Sequence, residues 1–112
     1  MPFIETKTNL PITEIQEQSL KEQFGNAIGT LGKSEGWLML RFEGGCHMWF
    51  QGTDSPCAIA EVKLYGKADA SAYDKLTGQI TDILSQTLGL PASRIYVKYE
   101  ECTYWGFSGS NF

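Results

Sequence analysis

Apolar and polar positions change period along the chain in a way that marks out its elements. Residues 2–8 are short and rich in β-branched and aromatic side chains, and they stop at Asn9-Leu10-Pro11, which reads as a strand and a turn. Thr13-Glu14-Ile15-Gln16 has the Thr-x-x-Gln form of a capping box. Ile12, Ile15, Leu20, Phe24, Ala27, Ile28 and Leu31 follow at helical spacing until Gly32, predicting a helix with one apolar face. Residues 37–43 predict a second strand, bounded by Gly44-Gly45, and residues 48–51 a short one before Gly52-Thr53-Asp54-Ser55-Pro56. Residues 57–65 form a mostly apolar strand closed by Gly66. Residues 71–88 place Tyr73, Leu76, Ile80, Ile83, Leu84 and Leu88 on one helical face, with Gly89-Leu90-Pro91 as the stop. Residues 94–100 alternate strictly and predict a last main strand, and the glycine-rich aromatic tail 103–112 a short edge element.

The order strand, helix, strand therefore occurs twice, and the two copies are related in sequence. One constant shift sets Leu31-Gly32 on Leu88-Gly89, Leu38 on Ile95, Leu40 on Val97, Arg41 on Lys98, Phe42 on Tyr99 and Glu43 on Glu100. The chain is an α/β protein of one domain, residues 1–112, with an internal repeat of roughly 2–56 and 57–112. Two βαβ halves would join in one four-stranded mixed sheet, with both helices on one face because crossover connections are right-handed. Strands carrying Ile, Val, Leu and Ala would leave the other face bare, and a bare apolar face calls for a partner. Self-association through sheet faces and edges, extended by the short pieces at 48–51 and 103–107, predicts a homo-oligomer.

Composition and charge narrow the function. The 112 residues are 42% hydrophobic, 12% aromatic and 20% charged, as in ordinary globular chains. A net charge of −4 without a basic run argues against nucleic acid as a partner. No apolar stretch approaches the ~18 residues that span a bilayer, and the start MPFIETKTNLP lacks a basic region followed by a long apolar one. Membrane insertion and classical secretion are not expected. Cys46, Cys57 and Cys102 are odd in number without Cys-x-x-Cys spacing, and His47 is the only histidine, so a cytoplasmic location fits and no metal site is expected.

Several motifs in order resemble the macrophage migration inhibitory factor branch of the tautomerase superfamily. They are Met1-Pro2 ahead of a strand, Asn9-Leu-Pro11, Thr30-Leu-Gly-Lys33, Met48-Trp-Phe-Gln-Gly52, Ser55-Pro-Cys-Ala58, Gly66-Lys67 and Arg94-Ile-Tyr-Val-Lys-Tyr99, and together they cover the whole chain. The resemblance implies a homotrimer whose three sheets wrap into a barrel with the helices outside and whose active sites lie at subunit interfaces. It also implies a cofactor-independent keto–enol tautomerase acting on small α-keto or enol acids such as phenylpyruvate.

Pro2 can be argued from chemistry as well. Removal of Met1 would leave a secondary amine at the chain end, and apolar surroundings would lower its pKa until it is a neutral base near pH 7. Such a base can take a proton from the carbon beside a carbonyl and return it at another atom. Without the motif pattern, a proline opening a strand needs no further role, since its missing N–H costs nothing there.

The resemblance assigns Lys33 to a substrate carboxylate, although a lysine past a helix end also answers the helix dipole. It places Tyr96 and Lys98 in a neighbouring subunit's pocket, with Lys98 standing where the commonest pattern has Asn. Tyr65 takes the place of an aliphatic residue whose backbone N–H contacts substrate, Phe107 that of a pocket tryptophan, and Trp37 lies at the rim; core packing explains each of these three equally well. Cys57-Ala-Ile-Ala60 lacks the second cysteine that some members use for thiol chemistry, so Cys57 reads as a small buried hydrophobe and no oxidoreductase activity is expected. Ile12 replaces a basic residue that animal cytokine members use toward a receptor. The rival readings are a cytokine-like binding or signalling protein with a vestigial pocket, for which nonclassical export stays open, and a ferredoxin-like module that dimerises through its sheet and binds a small ligand.

Overall fold

The computed structural model describes residues 1–112. Thr13 caps the first helix, α1 (Glu14–Ala27), as its spacing predicts. Its hydroxyl accepts from the Gln16 N–H at 3.1 Å, and the Gln16 side chain accepts from the Thr13 N–H at 3.0 Å. The helix tightens into a 3-10 turn over Ile28–Leu31 and is ended by Gly32, whose φ of +71° is cheap only for glycine. The second helix, α2 (Ala70–Leu88), ends in the same way at Gly89, with φ +75°.

Four strands form the main sheet: β1 (Pro2–Thr8), β2 (Met39–Glu43), β3 (Ala58–Tyr65) and β4 (Ile95–Cys102). Their order is β2-β1-β3-β4. The β1·β2 and β3·β4 pairs are parallel, and β1 and β3 run antiparallel in the middle, joining the two βαβ halves. The last two strands, β5 (Gly106–Phe107) and β6 (Ser110–Asn111), pair with each other as a small hairpin.

The core lies between one sheet face and the two helices. Ile4 from β1 and Ala58, Ala60, Val62 and Leu64 from β3 meet Leu20, Phe24 and Ile28 of the first helical segment and Leu76, Ile80, Leu84 and Leu88 of α2. Thr6 and Thr8 occupy the same face and are fully buried. The Thr8 hydroxyl donates to the Cys57 carbonyl at 2.7 Å, whereas the Thr6 hydroxyl has no hydrogen-bond partner.

Three expectations are corrected here. Residues 48–51 are not a strand: Phe50 and Thr53 exchange backbone hydrogen bonds around Gln51-Gly52, a tight turn with both central φ angles positive. Trp37 precedes β2, in a 3-10 turn (Glu35–Trp37) that Ser34 caps through its hydroxyl. The helix-free sheet face is also not uniformly apolar. Beside Phe3, Met39, Ile59, Tyr65 and Tyr96 it presents Glu5, Lys7, Arg41, Glu43, Glu61, Lys63, Lys98 and Glu100, four of each sign, because period-two alternation sends most of the aliphatic residues to the helix side. Arg41 lies 2.7 Å from Glu5 and 2.8 Å from Glu43, and Lys98 lies 3.2 Å from Glu100.

Candidate functional site

At the end of the sheet where β1 begins, a cleft of about 770 Å³ opens between the chain start, the turn before β2 and the C-terminal hairpin. Its lining includes Met1, Pro2, Phe3, Trp37, Met39 and Phe107. The local sequence explains why these segments meet. Pro2 opens β1 opposite Leu64 in the antiparallel register and is buried, at a position where a missing N–H costs little. The bend at Gly32 and the Ser34-capped turn turn the chain back toward β1 and deliver Trp37 to the cleft, where it meets Phe107 edge-on at 4.9 Å between centroids.

Tyr65 ties the chain start to Lys33 through its backbone. Its N–H donates to the Met1 carbonyl at 3.0 Å, and its own carbonyl accepts from Lys33 Nζ at 3.3 Å. One of three ammonium donors is thereby used. Burial first, and the nearby Lys33 charge second, hold the Met1 α-amine below its ordinary value. The Tyr65 ring packs against Phe112 at 5.7 Å, and Phe112 stacks on Phe107 at 6.2 Å, so an aromatic wall runs from Tyr65 to Trp37.

Pro2, Lys33, Trp37, Tyr65 and Phe107 are thus brought to one end of the sheet within a single chain. Tyr96 and Lys98 are not. Tyr96 pairs with Ile59, which faces Lys7, five residues along β1 from Pro2 or roughly 17 Å at strand rise. Its ring meets Phe50 at 4.6 Å and is 60% exposed on the edge strand. The Lys98 charge is answered within its own chain by Glu100 and, at 3.9 Å, Glu61.

The sequence reading missed Met39, Trp105 and Phe112 at this end. Met39 was legible as an outward position on β2, but the hairpin that swings Trp105 and Phe112 inward rests on Ser108 and Gly109 at positive φ, which no periodicity announces. The thiol of Cys46 is pushed up by burial and by its hydrogen bond to Glu43, which disfavours thiolate chemistry there. No three or more His, Cys, Asp or Glu side chains gather as a set that could hold a metal ion.

Comparison with known proteins bears on this geometry along the full length. The chain is 28% identical to a macrophage migration inhibitory factor homolog of Brugia malayi, covering 100% of this chain and 99% of that protein. It is 28% identical to D-dopachrome decarboxylase-B of Xenopus laevis over 94% of this chain and 90% of that protein. The crystal structure of Leishmania major MIF2 superposes with a TM-score of 0.95 at 30% identity, covering 100% of this chain and 97% of the other. The family model for macrophage migration inhibitory factor (MIF) matches residues 1–112, and the chain belongs to that family.

Proposed function

We propose that the protein is a cofactor-independent keto–enol tautomerase for small α-keto or enol acids of the phenylpyruvate type. The observation that carries this reading is the placement of Met1. Its carbonyl occupies the Tyr65 N–H and its amine lies beside Lys33, in an apolar cleft. Removing Met1 therefore exposes two groups at once: the Pro2 nitrogen, as a secondary amine, and the Tyr65 N–H, as a free donor.

Burial and the Lys33 charge act on an amine at this place in one direction, toward the neutral form that is a base. The Pro2 lone pair takes a proton from the substrate carbon next to the carbonyl. That C–H electron pair becomes the carbon–carbon double bond, the carbonyl π pair moves onto oxygen, which takes the proton back from the Pro2 ammonium as the enol, and the reverse sequence returns the ketone. Lys33 retains ammonium donors for the substrate carboxylate, and Trp37, Tyr65 and Phe107 hold the apolar part. The relative named for D-dopachrome decarboxylation supports an enzymatic role in the family.

The working form on this reading is a homotrimer in the cytoplasm. Both outer strands, β2 and β4, have unpaired edges, and Tyr96 and Lys98 on β4 would reach the neighbouring subunit's cleft. With a charged inner face, such a barrel would enclose water and ion pairs rather than a dry core.

The test is intact mass, light scattering and phenylpyruvate turnover on one sample lacking Met1. Pro2→Gly, also without Met1, is expected to lower kcat/KM by about 10²- to 10⁴-fold. Near-normal turnover by that variant ends the mechanism, and a processed trimer that turns nothing over moves the protein to a binding role.

A further inference from the structure

Tyr96 is exposed on an edge strand, yet its ring is not free. Phe50 touches both it and Arg94. The Phe50 and Tyr96 centroids are 4.6 Å apart at an interplanar angle of 60°, and the Arg94 guanidinium sits over the Phe50 ring, 5.2 Å from its centroid. Arg94 does more than cover the ring. Its Nε donates to the Pro56 carbonyl at 3.0 Å, one terminal nitrogen to the Phe50 carbonyl at 3.0 Å, and the other to the carbonyls of Ser55 at 3.0 Å and Thr53 at 3.4 Å. The Asn9 amide holds the same loop, donating to the Asp54 and Ser55 carbonyls at 3.0 and 3.1 Å while its oxygen accepts from the Cys57 N–H at 2.9 Å.

This loop has no strand partner beyond its own Phe50–Thr53 bridge. Together with the Asn9 amide, a guanidinium whose donors reach four backbone carbonyls, that of Phe50 among them, holds the loop that carries the Phe50 ring, and a fork of fixed geometry does this in a way an ammonium cannot. Arg94 ends the 3-10 turn (Ala92–Arg94) that leads into β4, two residues before Tyr96, and both side chains meet the Phe50 ring. An exposed tyrosine without such a neighbour samples several rotamers and loses that freedom on meeting a ligand.

We propose that Arg94 and Phe50 are positioning residues that pre-set the Tyr96 ring for the cleft of an adjacent subunit. The proposal rests on the reading that Tyr96 serves that cleft. Arg94 holds the loop, the loop holds Phe50, and Phe50 holds Tyr96; neither Arg94 nor Phe50 touches substrate. Their effect falls on substrate binding rather than on proton transfer.

The experiment uses full-length protein without Met1, with phenylpyruvate as probe and NMR of ring-labelled tyrosine, the Tyr96 signals being assigned by Tyr96→Phe. Phe50→Leu keeps apolar bulk and loses the ring. It is expected to move the Tyr96 signals toward those of a solvent-exposed tyrosine and to raise KM roughly threefold to tenfold with little change in kcat. Arg94→Lys gives the same pattern, and Phe50→Tyr stays close to the parent protein. Phe50→Leu combined with Tyr96→Ala costs no more than Tyr96→Ala alone, because both act through one ring. Unmoved Tyr96 signals in Phe50→Leu, or additive effects in the double variant, overturn the proposal. An unchanged Arg94→Lys overturns the part given to Arg94. If Tyr96→Ala leaves KM unchanged, the role of Tyr96 in the cleft falls, and the positioning role falls with it whatever the ring signals show.

Discussion

The two faces of the main sheet are made by the same four strands and are held by different physics. On the helix side Ile4, Ala60, Val62 and Leu64 are fully buried against two helices. On the other side Arg41, Glu5, Glu61 and Lys98 form one row across the strands in register, with the two carboxylates adjacent in the middle and a cation at each edge. Burial acts without direction and adds with area, while an ion pair in reach of water gains little beyond the desolvation it requires. The first face should hold the fold together, and the second is free to meet water or another chain.

The largest expected effect breaks the first face. Ile80→Ala removes a fully buried side chain from the middle of α2 and should lower unfolding stability by about 2 to 5 kcal/mol in denaturant titration. Thr6→Val sharpens the same face from the other direction. It replaces a buried hydroxyl without a partner by a methyl group and should raise stability by about 1 kcal/mol; a loss would mean that the hydroxyl is satisfied in solution.

Lys33 contrasts with the compensated charges of the open face, since it acts on the terminal amine. A cation disfavours the protonated form of a neighbouring amine, so Lys33→Met should move titration of the Met1 amine upward toward its ordinary value, read as the pH dependence of its acylation. Burial, the larger cause, remains, so the return should be partial. The smallest effect is on the open face. Glu5→Gln breaks the contacts to Arg41 and Lys7 and should cost less than about 1 kcal/mol, shrinking further in high salt.

Much of this architecture was legible because it follows from residue type and period. Thr13 and Gln16 announce the first helix, Gly32 and Gly89 its end and that of its counterpart, and the shift relating Leu40 to Val97 announces the repeat. The open face was misread for a physical reason. The apolar content of a strand does not say which face it serves, and Arg41, Glu43, Lys98 and Glu100 alternate strictly with Leu40, Phe42, Val97 and Tyr99. At the cleft, Pro2 and Lys33 could be named in advance, and the Tyr65 N–H through the resemblance, but the Tyr65 carbonyl that receives Lys33 could not, because a backbone carbonyl carries no residue-type signal. The four carbonyls that receive Arg94 were invisible on the same ground.

The position of β1 also has a consequence for how the chain is made. In chain order β1 precedes the other strands described, yet it is an inner one, paired with β2 on one side and, on the other, with β3, where Pro2 meets Leu64. During translation β1 waits for a partner dozens of residues later in the chain, with only a parallel neighbour until the second half emerges. The repeat is therefore not a pair of folding units. A fragment ending near residue 56 would expose the β1 edge that β3 covers, and its fate would be association with other chains rather than a stable half.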